Sequence, residues 1–228
     1  MSARPAIDNA PLAILLDLGG VLIDVSFERA LRYWHACTTG PARNVPSAGP
    51  PAVAGNHDLA AGMMTDANID LAYERHERGE IDFPAFAEAL DDKLHLNLSE
   101  AQWRHGWNAA LGEPLPGAPA LVRSAAEQWP VFLFSNTNAT HHAHWSAQQQ
   151  ELLAPMRTVF VSNELGLRKP DPSAYQAVAA KIGIDTDRIF FFDDRQQNVD
   201  GAQQAGLQAF RCNRPADVAH VLGLSLPP

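Results

Sequence analysis

The chain has 228 residues, of which 46% are hydrophobic and 19% are charged, and its formal net charge at pH 7 is −9. A chain of this length can bury a sizeable core, and its composition excludes a wholly disordered protein. The acidic balance disfavours nucleic acid and anionic membrane surfaces as partners, although a local cationic pocket can still bind phosphate.

The N-terminal segment and the two cysteines indicate a protein of the cytoplasm. The apolar run at residues 12–16 ends at Asp17, and no basic segment with a small-residue cleavage pattern precedes it. We therefore expect neither a signal peptide nor a membrane span. Cys37 and Cys212 lie far apart without the spacing of a disulfide framework or a zinc site, so reduced thiols are expected.

The first predicted strand, at residues 13–17, precedes a long region without a strand signal. Its apolar spacing predicts helices at 26–36, 66–78, 83–94 and 99–111. The segment 76–81 is interpreted as a helix end at Gly79, followed by a helix that Asp82 caps. A stretch rich in Pro, Gly, Ala and Ser at 38–62 is predicted to be a loop. Residues 26–116 are thus predicted to form a helical cap, and residues 1–25 and 117–228 the core.

The second half of the chain alternates helices and strands. Apolar runs at 131–135, 158–162, 188–193 and 208–211 are typical of strands that are buried on both faces. Helices are predicted before and between these runs, at 119–128, 139–150, 172–182 and 196–205. This order predicts an α/β fold, with a doubly wound, Rossmann-like parallel sheet and an inserted α-helical cap.

Polar side chains stand where the predicted strands end, which is where open α/β sheets bind ligands. Asp17, Ser135 and the pair Asp193-Asp194 follow or end three strands, and Lys169 lies in the loop after another. Three carboxylates in one pocket repel one another unless a cation lies between them, and an all-oxygen set favours Mg²⁺. A hydroxyl and an ammonium opposite suit a phosphoryl group. We therefore predict phosphoryl transfer.

These residues follow the order of the four motifs of the haloacid dehalogenase superfamily, which the chain resembles over nearly its whole length. The matching segments are residues 14–21 (ILLDLGGV), Ser135-Asn136, Lys169-Pro170, and Asp193-Asp194 with Asn198 four residues further on. The resemblance is to the subfamily with a helical cap after the first strand. It implies a Mg²⁺-dependent phosphatase that hydrolyses a small phosphorylated metabolite through an aspartyl phosphate.

The resemblance also implies a role for each site residue. Asp17 is expected to be the nucleophile, and Lys169 to assist by neutralising the phosphoryl oxygens. The expected metal ligands are Asp17, Asp194 and the backbone carbonyl of Gly19, with Asp193 assisting. The residues expected to hold the phosphate are Ser135, Asn136 and Lys169.

A closer likeness is to the bacterial α-D-glucose-1-phosphate phosphatases of this superfamily, which share the Asp-Leu-Gly opening and segments like 76–81 and 135–138. Gly19 departs from the usual pattern, in which a second aspartate acts as general acid and base. Loss of a positioned acid typically lowers the rate about 10²- to 10⁴-fold, unless the leaving group departs unaided. A sugar 1-phosphate releases a comparatively acidic anomeric hydroxyl, and we hypothesise a substrate of this kind.

Two alternatives are open at this stage. A metal-independent 2-haloacid dehalogenase would leave the Asp193-Asp194 pair uncompensated, which argues against it. A catalytically weak binding or regulatory protein is compatible with the absence of an acid at position 19. The run His141, His142 and His144 invites a metal-site interpretation, because His141 and His144 lie one helical turn apart. No third ligand at a fitting spacing accompanies this pair.

Overall fold

The structure is a computed structural model that describes residues 10–39 and 67–226. Its strands are β1 (Ala13–Leu16), β2 (Ile23–Val25), β3 (Leu111–Pro114), β4 (Val131–Ser135), β5 (Thr158–Val161), β6 (Ile189–Asp193) and β7 (Gln208–Arg211). Five of them form one sheet in the order β5-β4-β1-β6-β7, and every neighbouring pair is parallel. The predicted parallel α/β sheet is confirmed, and β1 lies at its centre.

Helices surround this sheet and form the region after β2. They are α1 (Phe27–Thr39), α2 (Ala67–Glu77), α3 (Phe83–Leu94), α4 (Glu100–Ala109), α5 (Ala118–Ala126), α6 (Ala139–Gln148), α7 (Gln150–Leu153), α8 (Ser162–Leu165), α9 (Pro172–Ile182), α10 (Gln196–Gln204) and α11 (Pro215–Leu222). Within the two described ranges, none of these helices has the length and apolarity that a bilayer span requires. We call α1 to α4 the helical insertion.

The central strand is apolar throughout because helices cover both faces of the sheet. Ile14 and Leu16 face one core, which includes the apolar sides of α5 and α11. Ala13 and Leu15 face the other core, against α9 and α10. All four side chains are buried. A strand that is buried on both faces needs a continuous apolar run, which is the pattern of its sequence.

The helical insertion has its own aromatic core. Trp34, Trp103 and Trp107 are all buried within it, and the first two rings lie edge to face with centroids 4.8 Å apart. Gly106 on α4 makes this contact possible, because a Cβ atom there would collide with the indole nitrogen of Trp34. The insertion therefore holds α1 and α4 together by close packing of large rings.

The structure differs from the predicted elements at several points. Residues 26–116 are not wholly helical, because β3 pairs antiparallel with β2 beside the main sheet. The helix predicted at 139–150 is divided at Gln149, whose backbone leaves the helical region (φ −103°, ψ 27°). The loop predicted at 38–62 lies, beyond Thr39, outside the described residues.

Candidate active site

The sheet order brings three predicted site residues to one edge. Asp17 follows β1, Ser135 ends β4 and Asp193 ends β6, and β1 lies between the other two strands. Because all three strands are parallel, their carboxyl ends point the same way and these residues lie at the same edge of the sheet. Asp194 continues from β6.

Lys169 is the centre of this group. Its ammonium donates hydrogen bonds to Asp17 Oδ1 and Asp193 Oδ2, and both distances are 2.7 Å. The nitrogen also lies 5.4 Å and 5.3 Å from the ring centroids of Phe134 and Phe191, which come from the two strands flanking β1. Lys169 is 1% exposed and Asp193 is fully buried. The ammonium is therefore desolvated and depends on these carboxylates for its charge compensation.

Asp193 is held on several sides. Asn198 donates from Nδ2 to both of its carboxylate oxygens, at 2.9 Å and 3.0 Å. The backbone N–H of Arg195 donates to Oδ1 at 2.9 Å. Together with Lys169, these contacts fix the carboxylate in one orientation. Asp193 is therefore well placed to orient Lys169, in addition to the assisting metal role that the family resemblance implies.

Asp17, Asp193 and Asp194 form the acidic cluster expected for a metal. One carboxylate oxygen of each lies within 4.8 Å of the others. The Asp194 carboxylate packs over the turn after β1, since a Cβ atom on Gly20 would lie 2.5 Å from Asp194 Oδ2. Gly20 has a φ of +75°, which favours glycine in any case.

The charges of the cluster do not balance. Three carboxylates face the single ammonium of Lys169. Burial raises the pKa of Asp17 to about 7, with Lys169 opposing the shift and the two other carboxylates adding to it. Burial and the charge of Asp193 also raise the pKa of Asp194. An oxygen-only donor set with excess negative charge fits a hard divalent cation such as Mg²⁺.

The residues predicted to hold phosphate take two different positions. Ser135 is buried at the end of β4, where its hydroxyl makes one long contact of 3.4 Å to the carbonyl of Asn136. The Asn136 carboxamide binds the backbone of Lys169 twice, accepting from its N–H at 2.9 Å and donating to its carbonyl at 2.8 Å. The Asn136 side chain thus holds the Lys169 peptide. Its expected role in binding phosphate stays a prediction.

Position 19 has little space for a side chain. A Cβ atom on Gly19 would lie 3.0 Å from Cγ2 of Val25, a residue of β2. Val25 therefore occupies the direction in which an acid at position 19 would begin. The sequence shows the missing acid, but only the structure shows that its place is partly filled.

Of the three histidines predicted on α6, His141 packs into the interior of the fold. His141 is buried, donates from Nε2 to the carbonyl of Trp107 at 2.9 Å, and stacks on the Trp107 ring with centroids 4.6 Å apart. His142 lies 3.3 Å from Glu164. Among the described residues, the three aspartates are the one group of three or more ligand side chains that could hold a metal ion, and these histidines are not part of it.

An ion pair between Glu77 and Arg168 was not predicted from the sequence. Glu77 lies at the end of α2, in the segment read as a helix end, and Gly79 and the Asp82 cap do match that interpretation. The side chains meet across 91 positions of chain, at 2.8 Å. The only local signal is an Arg beside the predicted Lys169, which does not identify a partner.

Comparisons with known proteins agree with this architecture. A family model described as haloacid dehalogenase-like hydrolase matches residues 11–206. The phosphatase MT3486 of Mycobacterium tuberculosis is 34% identical over 106 residues, 46% of this chain and 49% of that protein. The chain thus spans about half the length of this relative. A D-ribitol-5-phosphate phosphatase of Bacteroides thetaiotaomicron is 19% identical over 209 residues, 90% of this chain and 93% of that protein.

A solved structure has the same fold. It is the HAD family enzyme bt-2542 of Bacteroides thetaiotaomicron, in complex with magnesium and inorganic phosphate. The two chains superimpose with a TM-score of 0.68 and 23% identity, over 89% of this chain and 94% of that one.

Proposed function

The chain belongs to the haloacid dehalogenase-like hydrolases, and from this premise we propose that it is a Mg²⁺-dependent phosphatase of a small phosphorylated metabolite. The observation that carries the proposal is the cluster of Asp17, Asp193 and Asp194 around the buried ammonium of Lys169. This arrangement provides a nucleophile, a fixed positive charge and an all-oxygen metal site at one edge of the sheet. The magnesium and phosphate bound to bt-2542 support it.

The proposed reaction has two displacements. A carboxylate oxygen of Asp17 forms a bond to phosphorus while the bond from phosphorus to the leaving-group oxygen breaks. The charge of Lys169 stabilises the phosphoryl oxygens during this step. Water then attacks the aspartyl phosphate at phosphorus, and inorganic phosphate leaves as the Asp17 carboxylate is restored. Asp193 and Asn136 keep Lys169 in place throughout.

The metal would be held by Asp17, Asp194 and the carbonyl of Gly19, with Asp193 assisting. When bound, Mg²⁺ supplies positive charge that offsets the negative charge of the phosphoryl group. The excess of carboxylates over ammonium groups in this cluster is the structural reason to expect it.

The substrate is proposed to have an acidic leaving group, because Gly19 cannot protonate the departing oxygen. A sugar 1-phosphate meets this requirement. One relative is named for D-ribitol 5-phosphate instead, which is a primary alcohol ester. The sugar 1-phosphate therefore rests on Gly19 and on the sequence likeness to glucose-1-phosphate phosphatases, and the comparisons do not add to it.

The deciding experiment measures release of inorganic phosphate from a panel of phosphorylated metabolites, with Mg²⁺ and with a chelator. We expect release with Mg²⁺ alone. Halide release from a 2-haloacid in chelator would instead identify a dehalogenase. Absence of both activities, together with tight binding of a phosphorylated metabolite, would identify a binding protein.

A further inference from the structure

A buried ion pair connects the helical insertion to the residue before Lys169. Arg168 donates from Nε to Glu77 Oε2 at 2.8 Å and from Nη1 to Glu74 Oε1 at 2.9 Å. The Glu77 side chain is 3% exposed and the Glu74 side chain 43% exposed. A buried carboxylate is costly unless it is paired. Glu77 therefore needs its ion pair with Arg168 far more than the exposed Glu74 does.

The chain segment that carries Lys169 is held from the sheet side by two other contacts. Asn136 binds both backbone polar groups of Lys169. Gly201 on α10 lies so close that a Cβ atom there would collide with the carbonyl of Pro170. Arg168 is the residue of this segment that is bound by the helical insertion, through Glu77 and Glu74.

Glu77 is itself fixed in position. Burial raises the pKa of Tyr73, one turn earlier on α2, and the neighbouring Glu77 carboxylate adds to this shift. The turn that follows α2 packs directly on the core, since a Cβ atom on Gly79 would lie 2.5 Å from the carbonyl oxygen of Asn163. Because the turn after its helix is docked on the core, the buried Glu77 presents a fixed partner to the Arg168 guanidinium.

We propose that Glu77 is a positioning residue for Lys169, acting through Arg168. By fixing the residue that precedes Lys169, it keeps the ammonium between Asp17 and Asp193 while the phosphoryl group is transferred. The inference rests on the proposed phosphatase function, and it makes the helical insertion a part of the machinery that sets the rate. A displacement of about 1 Å at a reacting group can cost up to about 10²-fold in rate.

The test compares Glu77→Gln with the matched control Glu74→Gln, which removes a carboxylate from the same guanidinium at an exposed position. Turnover is measured on the best substrate of the phosphate-release panel. We expect Glu77→Gln to lower kcat about tenfold or more with KM changed less than about threefold. Glu74→Gln should leave both constants within about twofold. Equal turnover in wild type and Glu77→Gln would overturn the inference and leave the proposed function standing.

A double-variant cycle tests the route through Arg168. If Glu77 acts through this residue, the kcat of Glu77→Gln/Arg168→Gln equals that of either single variant. Losses that multiply would contradict the proposal. Should Glu77→Gln fail to fold, Arg168→Lys replaces it, because an ammonium keeps the charge but loses the two-pronged geometry.

A readout without turnover separates this inference from the proposed function. Hydrogen exchange of the Lys169 amide, which donates to Asn136, reports directly on the fixed peptide. We expect exchange about tenfold faster in Glu77→Gln and unchanged in Glu74→Gln. If the wild type releases no phosphate, the proposed function fails and this measurement alone decides the role of Glu77. Unchanged exchange in Glu77→Gln would then refute it.

Discussion

Lys169 is the single residue on which the charge balance of the site depends. Its ammonium compensates two buried carboxylates directly, while a third lies beside them. Removing one partner from such a group leaves an uncompensated buried charge, which is more costly than removing an exposed ion pair. The site residues therefore contribute to stability as well as to chemistry. For each variant, both the unfolding free energy and the rate of phosphate release should be measured.

The nucleophile prediction concerns Asp17. Asp17→Asn should abolish phosphate release, because an amide cannot form the phosphoryl bond. The matched control is Asp200→Asn, an exposed carboxylate on α10 that accepts a hydrogen bond from Gln196. Phosphate release and circular dichroism are measured for both variants. A folded Asp17→Asn protein with wild-type turnover would exclude Asp17 as the nucleophile.

The leaving-group prediction concerns Gly19. Without an acid at this position, turnover of glucose 1-phosphate should exceed that of glucose 6-phosphate, whose leaving group is an ordinary alcohol. Both are assayed at the same Mg²⁺ concentration and pH by phosphate release. Faster turnover of the 6-phosphate would mean that another group protonates the leaving oxygen.

Much of the site could be predicted from single residues, and the reason is local. Asp17, Ser135 and Asp193 follow apolar runs that mark strand ends, and parallel strands bring their ends together. The use of the Asn136 carboxamide could not be predicted, because an asparagine after a strand can bind a ligand or the backbone equally well. The pairing of Glu77 with Arg168 depends on tertiary docking, which has no signature near either residue.

At the scale of elements, the helical insertion meets the core through α4 and α6. His141 on α6 donates to the carbonyl of Trp107 on α4 and stacks on its ring. Burial lowers the pKa of His141 to about 3, against the opposite effect of this hydrogen bond. His141 is therefore neutral in the folded protein at neutral pH.

This neutral histidine gives the stability a pH dependence. In the unfolded chain a histidine titrates near 6.5, so between about pH 6.5 and 3 the unfolded state binds a proton that the folded state excludes. The stability from neutral His141 is complete above this range and is lost as pH falls through it, by up to about 1.4 kcal/mol per pH unit.

We therefore expect the unfolding free energy to fall more steeply from pH 7 to pH 5 in the wild type than in His141→Gln. Denaturant unfolding at both pH values measures the difference, and the exposed His220 of α11 provides the control variant His220→Gln. Identical slopes of unfolding free energy against pH in wild type and His141→Gln would show that folding does not lower the pKa of His141.

A packing prediction concerns the contact between α1 and α4. Gly106→Ala should destabilise the protein by about 1–3 kcal/mol, because the added methyl group meets the Trp34 indole in a close-packed core. Denaturant unfolding measures the loss. Ala101→Ser, at an exposed position on the same helix, should change the stability far less. A neutral Gly106→Ala would mean that α1 and α4 can separate without cost.

Most elements could be predicted from periodicity, since buried parallel strands and capped helices carry strong local signals. The strand Leu111–Pro114 could not be predicted in this way, because its four residues include Gly112 and Pro114, which disfavour strands. It forms only because β2 offers a partner more than eighty residues earlier in the chain. Pairing at that separation is a tertiary property.

At the scale of the whole molecule, activity and stability should both depend on a metal, because the three carboxylates of the site outnumber the one ammonium among them. A chelator should abolish phosphate release, and added Mg²⁺ should restore it. Because an ion that binds the folded state stabilises it, Mg²⁺ should also raise Tm in proportion to the logarithm of its concentration. Asp194→Asn should lose most of this shift. A Tm that does not respond to Mg²⁺ in the wild type would contradict the assigned site.

Gly79 has a consequence for experiments on the two parts of the molecule. Its φ of +70° and its approach to Asn163 leave no room for even a methyl group. A larger residue here would push the end of α2 away from Asn163 while every charged side chain of the site keeps its identity. A substitution at position 79 therefore offers a way to detach Glu77 from Arg168 with both residues still present in the chain.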